Sequence, residues 1–298
     1  MPSSPLHAPV LTWYAGHARD LPWRQPGTSA WAVLVSEVML QQTPVARVEP
    51  VYRAWLDRWP TPAALAAEPA GEAVRAWGRL GYPRRALRLH AAATEVVAVH
   101  GGELPTSYAG LRSLPGVGDY TAAAVASFAH GARHAVLDTN VRRVLARAVG
   151  GAEQPAPALT APERARAEAL LPDEPAAAAR WAVAVMELGA LVCTARSPRC
   201  GSCPVAGLCA WRLAGAPAYD GPVRPVQAFA GTDRQVRGLL LAVLRDRPAE
   251  HGPVAAAELT AVWPDPVQRD RALAALLADG LLVADADADT GGRTYRLP

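Results

Sequence analysis

Leu114-Pro115-Gly116-Val117-Gly118-Asp119-Tyr120-Thr121 is the stretch that most restricts what this chain folds into. A glycine-rich hairpin between two helices offers backbone N–H groups at a helix N-terminus, which form a phosphate clamp. Gly116 and Gly118 are expected to supply the positive backbone angles and close approach that such a clamp needs. Asp138 follows 20 residues after Gly118, at the far end of the helix that the hairpin opens. A clamp on a nucleic-acid backbone with an acid held nearby points to an enzyme acting at a sugar. A glycine-capped helix corner leaves the same short signature, so the rest of the chain must decide.

At 298 residues the chain can hold one large or two modest domains with real cores. Half of it is apolar, yet no apolar run approaches the ~20 residues of a membrane span. Met1-Pro2-Ser3-Ser4-Pro5 lacks the pattern of a signal peptide, so a cytoplasmic protein without a membrane partner is expected. The net charge of +3 is mild, but residues 75–147 carry ten Arg against four acids, which suits a partner with phosphates. Residues 219–298 instead carry nine Arg against eleven acids. All 30 basic residues are Arg. Without a lysine amine, only the N-terminal amine could form a Schiff base with an opened sugar.

Cys193, Cys200, Cys203 and Cys209 fall within 17 positions. Four thiols in one short loop read as a metal site rather than disulfides. Structural zinc usually shows two separated C-x2-C knuckles, and here there is one. The spacing also differs from the ferredoxin patterns. Four thiolates in a compact loop can surround a cubane, which favours a [4Fe–4S] cluster over zinc. Arg196, Arg199 and Arg212 put positive charge on the loop.

The pattern is almost wholly helical. Residues 30–42 are apolar nearly all round, as a buried helix is. Further helices fit 45–59 (bent or broken at Pro50), 62–67, 71–80, 84–100, 108–112, 120–130, 139–149, 162–169 and 176–192. Residues 214–230 read as a Pro/Gly/Ala linker. Beyond it, 234–245, 255–262 and 267–279 look like short amphipathic helices. Residues 281–283 and 294–297 alternate as a hairpin around Gly291-Gly292. Three helices and a hairpin suggest a winged-helix-like module, whose acidic tip (Asp285, Asp287, Asp289) argues against gripping DNA.

The hairpin, Asp138 and the cysteine loop together resemble the endonuclease III superfamily of DNA glycosylases. Leu21-Pro22-Trp23-Arg24, the run Ser36 to Thr43, Leu80-Gly81-Tyr82, Asp138-Thr139-Asn140 and Glu187-Leu188-Gly189-Ala190 look like its adenine glycosylase branch, the MutY family. The match runs in register from about Leu11 to Arg212. The resemblance implies a mainly α, two-lobed helix-hairpin-helix glycosylase fold with an iron–sulfur loop, here followed by the winged-helix-like module. The domain division expected is 1–213 for the glycosylase, 214–232 for a linker and 233–298 for the module. Within the first, a six-helix lobe covers about 29–135 and a cluster lobe covers 1–28 and 136–213. DNA would lie in the cleft between the lobes, and adenine mispaired with 8-oxoguanine (or guanine) would be removed.

The chemistry asks for two carboxyl groups in opposite protonation states. Adenine leaves once N7 is protonated, through an oxocarbenium-like sugar. Glu37, among Val33, Leu34 and Leu40, is the expected acid, because desolvation favours its neutral form. Asp138, immediately before a helix, is the expected anion, with Asn140 orienting it. The resemblance places Tyr120 where lyase-type relatives carry a catalytic lysine; Tyr120 would hydrogen-bond to Asp138 or fill the core. The product expected is therefore an intact abasic site. Gln42 and Tyr82 match the wedge residues that fill the gap left by a flipped base, with Leu40 and Thr43 in the same loop region. Gly116, Val117 and Gly118 form the backbone clamp, while Arg19 and Trp23 match positions that contact the extruded adenine. Members often carry a Gln or Glu three residues before the Met186 position, and residues 181–184 offer none. The segment after Ala214 is much shorter than the family's Nudix-like 8-oxoguanine reader and does not resemble it. The partner implied is double-stranded DNA, met as a monomer at the nucleoid. A pyrimidine-directed glycosylase with lyase activity, or a non-catalytic DNA-binding redox sensor, are the competing readings.

Overall fold

The computed structural model describes residues 4–222, 228–248, 251–286 and 292–298. The linker residues 223–227 and the tip acids Asp287 and Asp289 lie outside them. The chain divides into two compact units. The first comprises the residues up to Glu37, Leu104–Ser113 and Val117–Pro222, and the second comprises Val38–Glu103, Leu114–Gly116 and the residues after 222. The boundaries differ from the lobes read from the sequence. Residues 30–37 and 119–130 group with the cysteine loop, and the C-terminal module groups with residues 38–103.

The first unit is built on α1 (His7–His17), the start of α2 (Ala30–Leu40), α7 (Tyr108–Ser113), α8 (Asp119–His130), α9 (Thr139–Ala148), α10 (Ala161–Ala169), α11 (Pro175–Leu191) and α12 (Ala210–Leu213). Its main core joins Val10 of α1, Val141, Val144 and Leu145 of α9, and Trp181, Val185 and Leu188 of α11. Three helix starts carry a side-chain cap. Asp138 caps α9, Glu174 caps α11 through the amides of Ala176 and Ala177, and Thr160 with Glu163 forms a capping box on α10. Helix α1, which the sequence pattern did not signal, lies against α11 through Leu6 and Val10.

The second unit holds α3 (Val45–Arg58), α4 (Pro62–Ala66), α5 (Ala70–Trp77) and α6 (Arg84–His100). Helix α3 runs unbroken through Pro50, so the break among the two expected outcomes does not occur. A proline there forgoes one backbone bond; burial of Val48, Tyr52 and Trp55 on the same helix offsets it. Trp55 packs edge-on against Trp59 and Trp77, with ring centroids 4.7 and 5.8 Å apart. The C-terminal module contributes α13 (Asp233–Asp246), β1 (Val254–Ala255), α14 (Ala256–Thr260), α15 (Pro266–Ala278), β2 (Val283–Ala286) and β3 (Arg293–Arg296). The strands form one antiparallel sheet in the order β1-β3-β2, with Val254 opposite Tyr295 and Val283 opposite Arg296. Ala255, read from sequence as helical, belongs to the strand β1, completing the winged-helix order of elements. Among the described residues no helix is long and apolar enough to cross a membrane.

Candidate active site

Helix α2 is buried on every side: Trp31, Val33, Leu34, Val35, Val38 and Met39 are all nearly inaccessible. Glu37 sits in that helix at 5% exposure, so its carboxyl has lost almost all solvation. Burial, aided by the nearby charge of Asp138, pushes it up to about 7 against the pull of Tyr120 and Arg24. The Tyr120 hydroxyl donates to Glu37 Oε2 at 2.8 Å. This corrects the sequence expectation, which had Tyr120 either bonded to Asp138 or simply filling the core. Burial, together with the charges of Glu37 and Asp138, pushes the phenol well above its ordinary range, so it stays a donor.

Asp138 is held differently. Its Oδ1 accepts from Val141 N at 2.6 Å and its Oδ2 from Asn140 Nδ2 at 2.8 Å. Burial raises its pKa, while these donors and Arg143 favour the anion, as does its seat at the N-terminus of α9. Asn140 is itself fixed, its Oδ1 accepting from Arg143 Nη2 at 2.8 Å. Arg143, only 8% exposed, also donates to the carbonyls of Gly189 and Cys193, both at 2.7 Å. Gly189 matters through its lack of a side chain: a Cβ there would lie 2.7 Å from Asn140 Cβ and 2.9 Å from Asn140 O. Glu37 and Tyr120 thus form one hydrogen-bonded pair and Asp138 and Asn140 another, with the charge of Asp138 felt at both members of the first.

Arg19 clamps a second buried acid, Glu187, which the sequence reading named within a motif but gave no role. Its Nε and Nη2 donate to Glu187 Oε1 and Oε2 at 2.8 and 2.7 Å, and its backbone N to Oε1 at 3.0 Å. Arg24 Nη1 lies 3.0 Å from Glu187 Oε2, although this N–H has no hydrogen bond of good geometry. Burial alone would raise Glu187, but the bonds from Arg19 and the charge of Arg24 outweigh it and hold the carboxyl low. Residues 181–184 lack a Gln or Glu as expected, and the one acid of α11 is Glu187. Trp23 is buried at 7% exposure in the short turn Pro22–Arg24.

In the second unit, Gln42 and Tyr82 adopt φ +57° and +48°, two of three such non-glycine residues among those described. Left-handed conformations for large side chains are strained and gather at functional sites. Tyr82 is 52% exposed and Gln42 is also exposed. Beneath them Arg85, 6% exposed, donates to the carbonyls of Val38, Met39, Gln41 and Gly81 and to Thr43 Oγ1. Burial pushes its guanidinium down to about 10. Thr43 is therefore a buried tie, its hydroxyl reaching Leu80 O at 3.3 Å, and Leu40 is half-buried at the end of α2. Arg85 was missed because a lone Arg in an arginine-rich helix carries no signal of burial.

At the hairpin, Gly116 takes φ +77°, and a Cβ there would sit 2.6 Å from Arg88 Cβ. Gly118 does not take a positive angle: it is extended (φ −90°, ψ 177°) and caps α8. Its lack of a side chain leaves open space beside the first amides of α8, which have no acceptor within the helix. Val117 is buried. Asp119, which would repel a phosphate there, is neutralised by Arg112 at 2.6 Å and Arg164 at 3.8 Å.

Cys193, Cys200, Cys203 and Cys209 line one recess, with Val192, Ala206 and Trp211 as its apolar walls. No three of the described His, Cys, Asp or Glu side chains converge on a point that would hold a single metal ion. Four thiols spread around one recess suit a polynuclear cluster, and a [4Fe–4S] cluster fits this donor set. Arg147, 1% exposed, ties the loop down through Thr194 O at 2.7 Å and Ala195 O at 3.1 Å, and reaches Cys193 Sγ at 3.4 Å. Arg212 folds back to Cys200 O, while Arg196 and Arg199 are exposed.

Comparison with known proteins agrees with this geometry. Residues 35–167 match the HhH-GPD superfamily of base excision DNA repair proteins, and residues 193–209 match the iron–sulfur binding domain of endonuclease III. The chain is 56% identical over 279 residues to the adenine DNA glycosylase of Mycolicibacterium smegmatis, covering 93% of this chain and 92% of that one. Such coverage includes most of residues 233–298. The human adenine DNA glycosylase is 43% identical over 208 residues, 67% of this chain and 38% of that one. A thermostable thymine-DNA glycosylase structure superposes with a TM-score of 0.63 at 27% identity, over 69% of this chain and 94% of that one. On its cysteine loop and these relatives, the chain belongs to the adenine DNA glycosylase family.

Proposed function

We propose that this chain is a monofunctional DNA glycosylase. It hydrolyses the N-glycosidic bond of adenine mispaired with 8-oxoguanine or guanine in double-stranded DNA, and leaves an intact abasic site. The observation that carries the reading is Glu37, buried and raised to about 7 partly by the charge of Asp138, which itself accepts two N–H donors. Glu37 holds its proton near neutral pH and gives it to adenine N7, so that the base departs neutral. Asp138 remains bare and faces the positive charge that develops at the sugar. Tyr120 keeps Glu37 oriented, and Asn140 keeps Asp138 oriented. With no lysine in the chain, water completes the reaction.

Arg24, with an N–H left to donate, the Arg19–Glu187 pair and Trp23 line the pocket for the adenine edge and face. Gln42 and Tyr82 enter the duplex where the base leaves, with Leu40 and Thr43 behind them. Gly116, Val117 and Gly118 hold a phosphate. Cys193, Cys200, Cys203 and Cys209 would hold the cluster, which would keep the loop in shape. The protein acts as a monomer on the cytoplasmic nucleoid, with residues 1–213 as the glycosylase, 214–232 as a linker and 233–298 as an added module.

Single-turnover release of adenine opposite 8-oxoguanine, guanine and cytosine tests this, with abasic sites cut by alkali. Asp138→Asn should slow release by about 10³-fold, the scale of a lost catalytic carboxylate. Strand scission without alkali, or thymine released from T:G as fast as adenine, would refute it.

A further inference from the structure

The C-terminal module has no part in the reaction above, yet it is fastened to the second unit at chosen points. Arg75, in the last turn of α5, donates through Nη1 to the carbonyls of Leu244, Arg245 and Arg247 at the end of α13. Arg245, in the last turn of α13, sends Nη1 back to the carbonyl of Gly78 at 2.8 Å, the residue that ends α5. Each helix lends the other a cation for its unpaired C-terminal carbonyls, where the helix dipole favours positive charge. Further on, Arg84 pairs with Asp279 at the end of α15 at 3.1 Å, and Arg237 holds the same acid. At the start of α5, Gly71 N donates to Pro298 O at 2.5 Å. A Cβ on Gly71 would lie 2.5 Å from that oxygen and 2.8 Å from Leu297 Cβ, so only glycine admits the module there.

These contacts bracket one short segment. Gly78 and Arg84 flank the turn that presents Tyr82 at φ +48°. Inside the turn, Trp77 Nε1 and Arg85 Nη2 both donate to Gly81 O, at 3.0 and 3.1 Å. A tyrosine in this conformation persists only where its surroundings over-determine it. Meanwhile several arginines that the module could offer to phosphates are already paired: Arg271 with Asp233 at 2.7 Å, Arg296 with Asp285 at 2.8 Å and Arg247 with Glu258 at 2.9 Å.

We infer that residues 233–298 are a brace for the Tyr82 turn. The module promotes base extrusion by fixing the wedge residue, and Arg245 and Asp279 are positioning residues within it. The inference rests on the reading of Tyr82 as a wedge. In the cluster-loaded full-length protein, Arg245→Ala and Gly71→Val break the docking at opposite ends. Each should slow single-turnover adenine release about tenfold, a loss of orientation rather than of chemistry. Affinity for undamaged duplex should stay within about twofold, since no phosphate contact is lost. Amide exchange at residues 79–83 should quicken while that of α3 stays unchanged, and Arg245→Lys should restore most of the rate. Release slowed by Tyr82→Ala but not by the two docking variants would overturn the brace and leave the wedge standing. A Tyr82→Ala protein with unaltered release would overturn both. If Arg293→Ala, on the exposed face of β3, weakens undamaged-DNA binding and its salt dependence while the docking variants keep full activity, the module grips DNA and is no brace.

Discussion

Glu37 offers a measurement that separates its proposed role from a structural one. An ordinary glutamate titrates at 4.5, and this one is pushed up to about 7. At 1.36 kcal/mol per pH unit, the difference is about 3 kcal/mol of folding stability linked to protonation. The folded carboxyl binds its proton more tightly than the unfolded chain does. The contribution is therefore fully present below pH 4.5 and is lost as pH rises through about 7. Above that, the parent protein carries the cost of a desolvated anion in an apolar helix. Glu37→Gln keeps the shape, still accepts the Tyr120 hydroxyl, and has no charge to bury. The variant should thus gain on the parent by about 3 kcal/mol between pH 4.5 and 8. At roughly 2–4 °C per kcal/mol for a protein of this size, the melting-temperature gap should widen in its favour by about 6 °C or more. Far-UV circular dichroism melts of both proteins at pH 5 and 8 read the gap, with cluster absorbance followed alongside. The same variant should release no adenine at either pH. A gap that does not change with pH, or one that widens in favour of the parent, would refute the argument.

Three further outcomes rest on the same contacts. Tyr120→Phe removes the donor that favours the Glu37 anion, so the alkaline limb of the pH–rate profile should move up by about one unit, the scale of a hydrogen bond to a charged group. A limb that stays put or falls would show that the contact does not bear on the acid. Gly189→Ala drives a Cβ into Asn140, and should cost about 1–3 kcal/mol in stability and slow adenine release more than it weakens DNA binding; equal losses in both would argue against a role through Asn140. Cys203→Ser should deplete the visible iron–sulfur absorbance and lower the melting temperature of the first unit, and full retention of both would remove Cys203 from the ligand set.

Much of the fold and the site was legible in the chain. The helices start where Asp138, Thr160 and Glu174 can cap them, and the cysteine spacing marked the cluster loop. What escaped depended on partners distant in sequence. The preference of Tyr120 for Glu37 over Asp138 is decided across 83 positions. Gly118 looked interchangeable with Gly116, but one glycine serves a left-handed turn and the other an open approach. Pro50 looked like a helix breaker because its buried neighbours, which outweigh the missing bond, come from packing rather than propensity.

The two buried glutamates show where reading by residue type ends and tertiary electrostatics begins. Glu37 and Glu187 each stand as a lone acid in an apolar helix, at 5% and 0% exposure. Desolvation pushes both toward the neutral form. Glu37 meets one uncharged donor, the Tyr120 hydroxyl, and the repelling charge of Asp138, with Arg24 acting only at a distance; its pKa ends up raised. Glu187 meets two guanidiniums, bidentate from Arg19 and charge from Arg24, and its pKa ends up lowered. A bidentate arginine pair compensates desolvation where a single neutral hydroxyl does not. The two sites therefore differ in protonation below about pH 7, Glu37 neutral and Glu187 anionic, although the residue, the helix type and the burial are nearly the same. The arginines that decide this arrive from the segment after α1, more than 160 positions from Glu187 in the chain. Assigning one carboxyl as a proton donor and the other as a fixed anion is thus a property of the fold, which the local sequence around either residue does not contain.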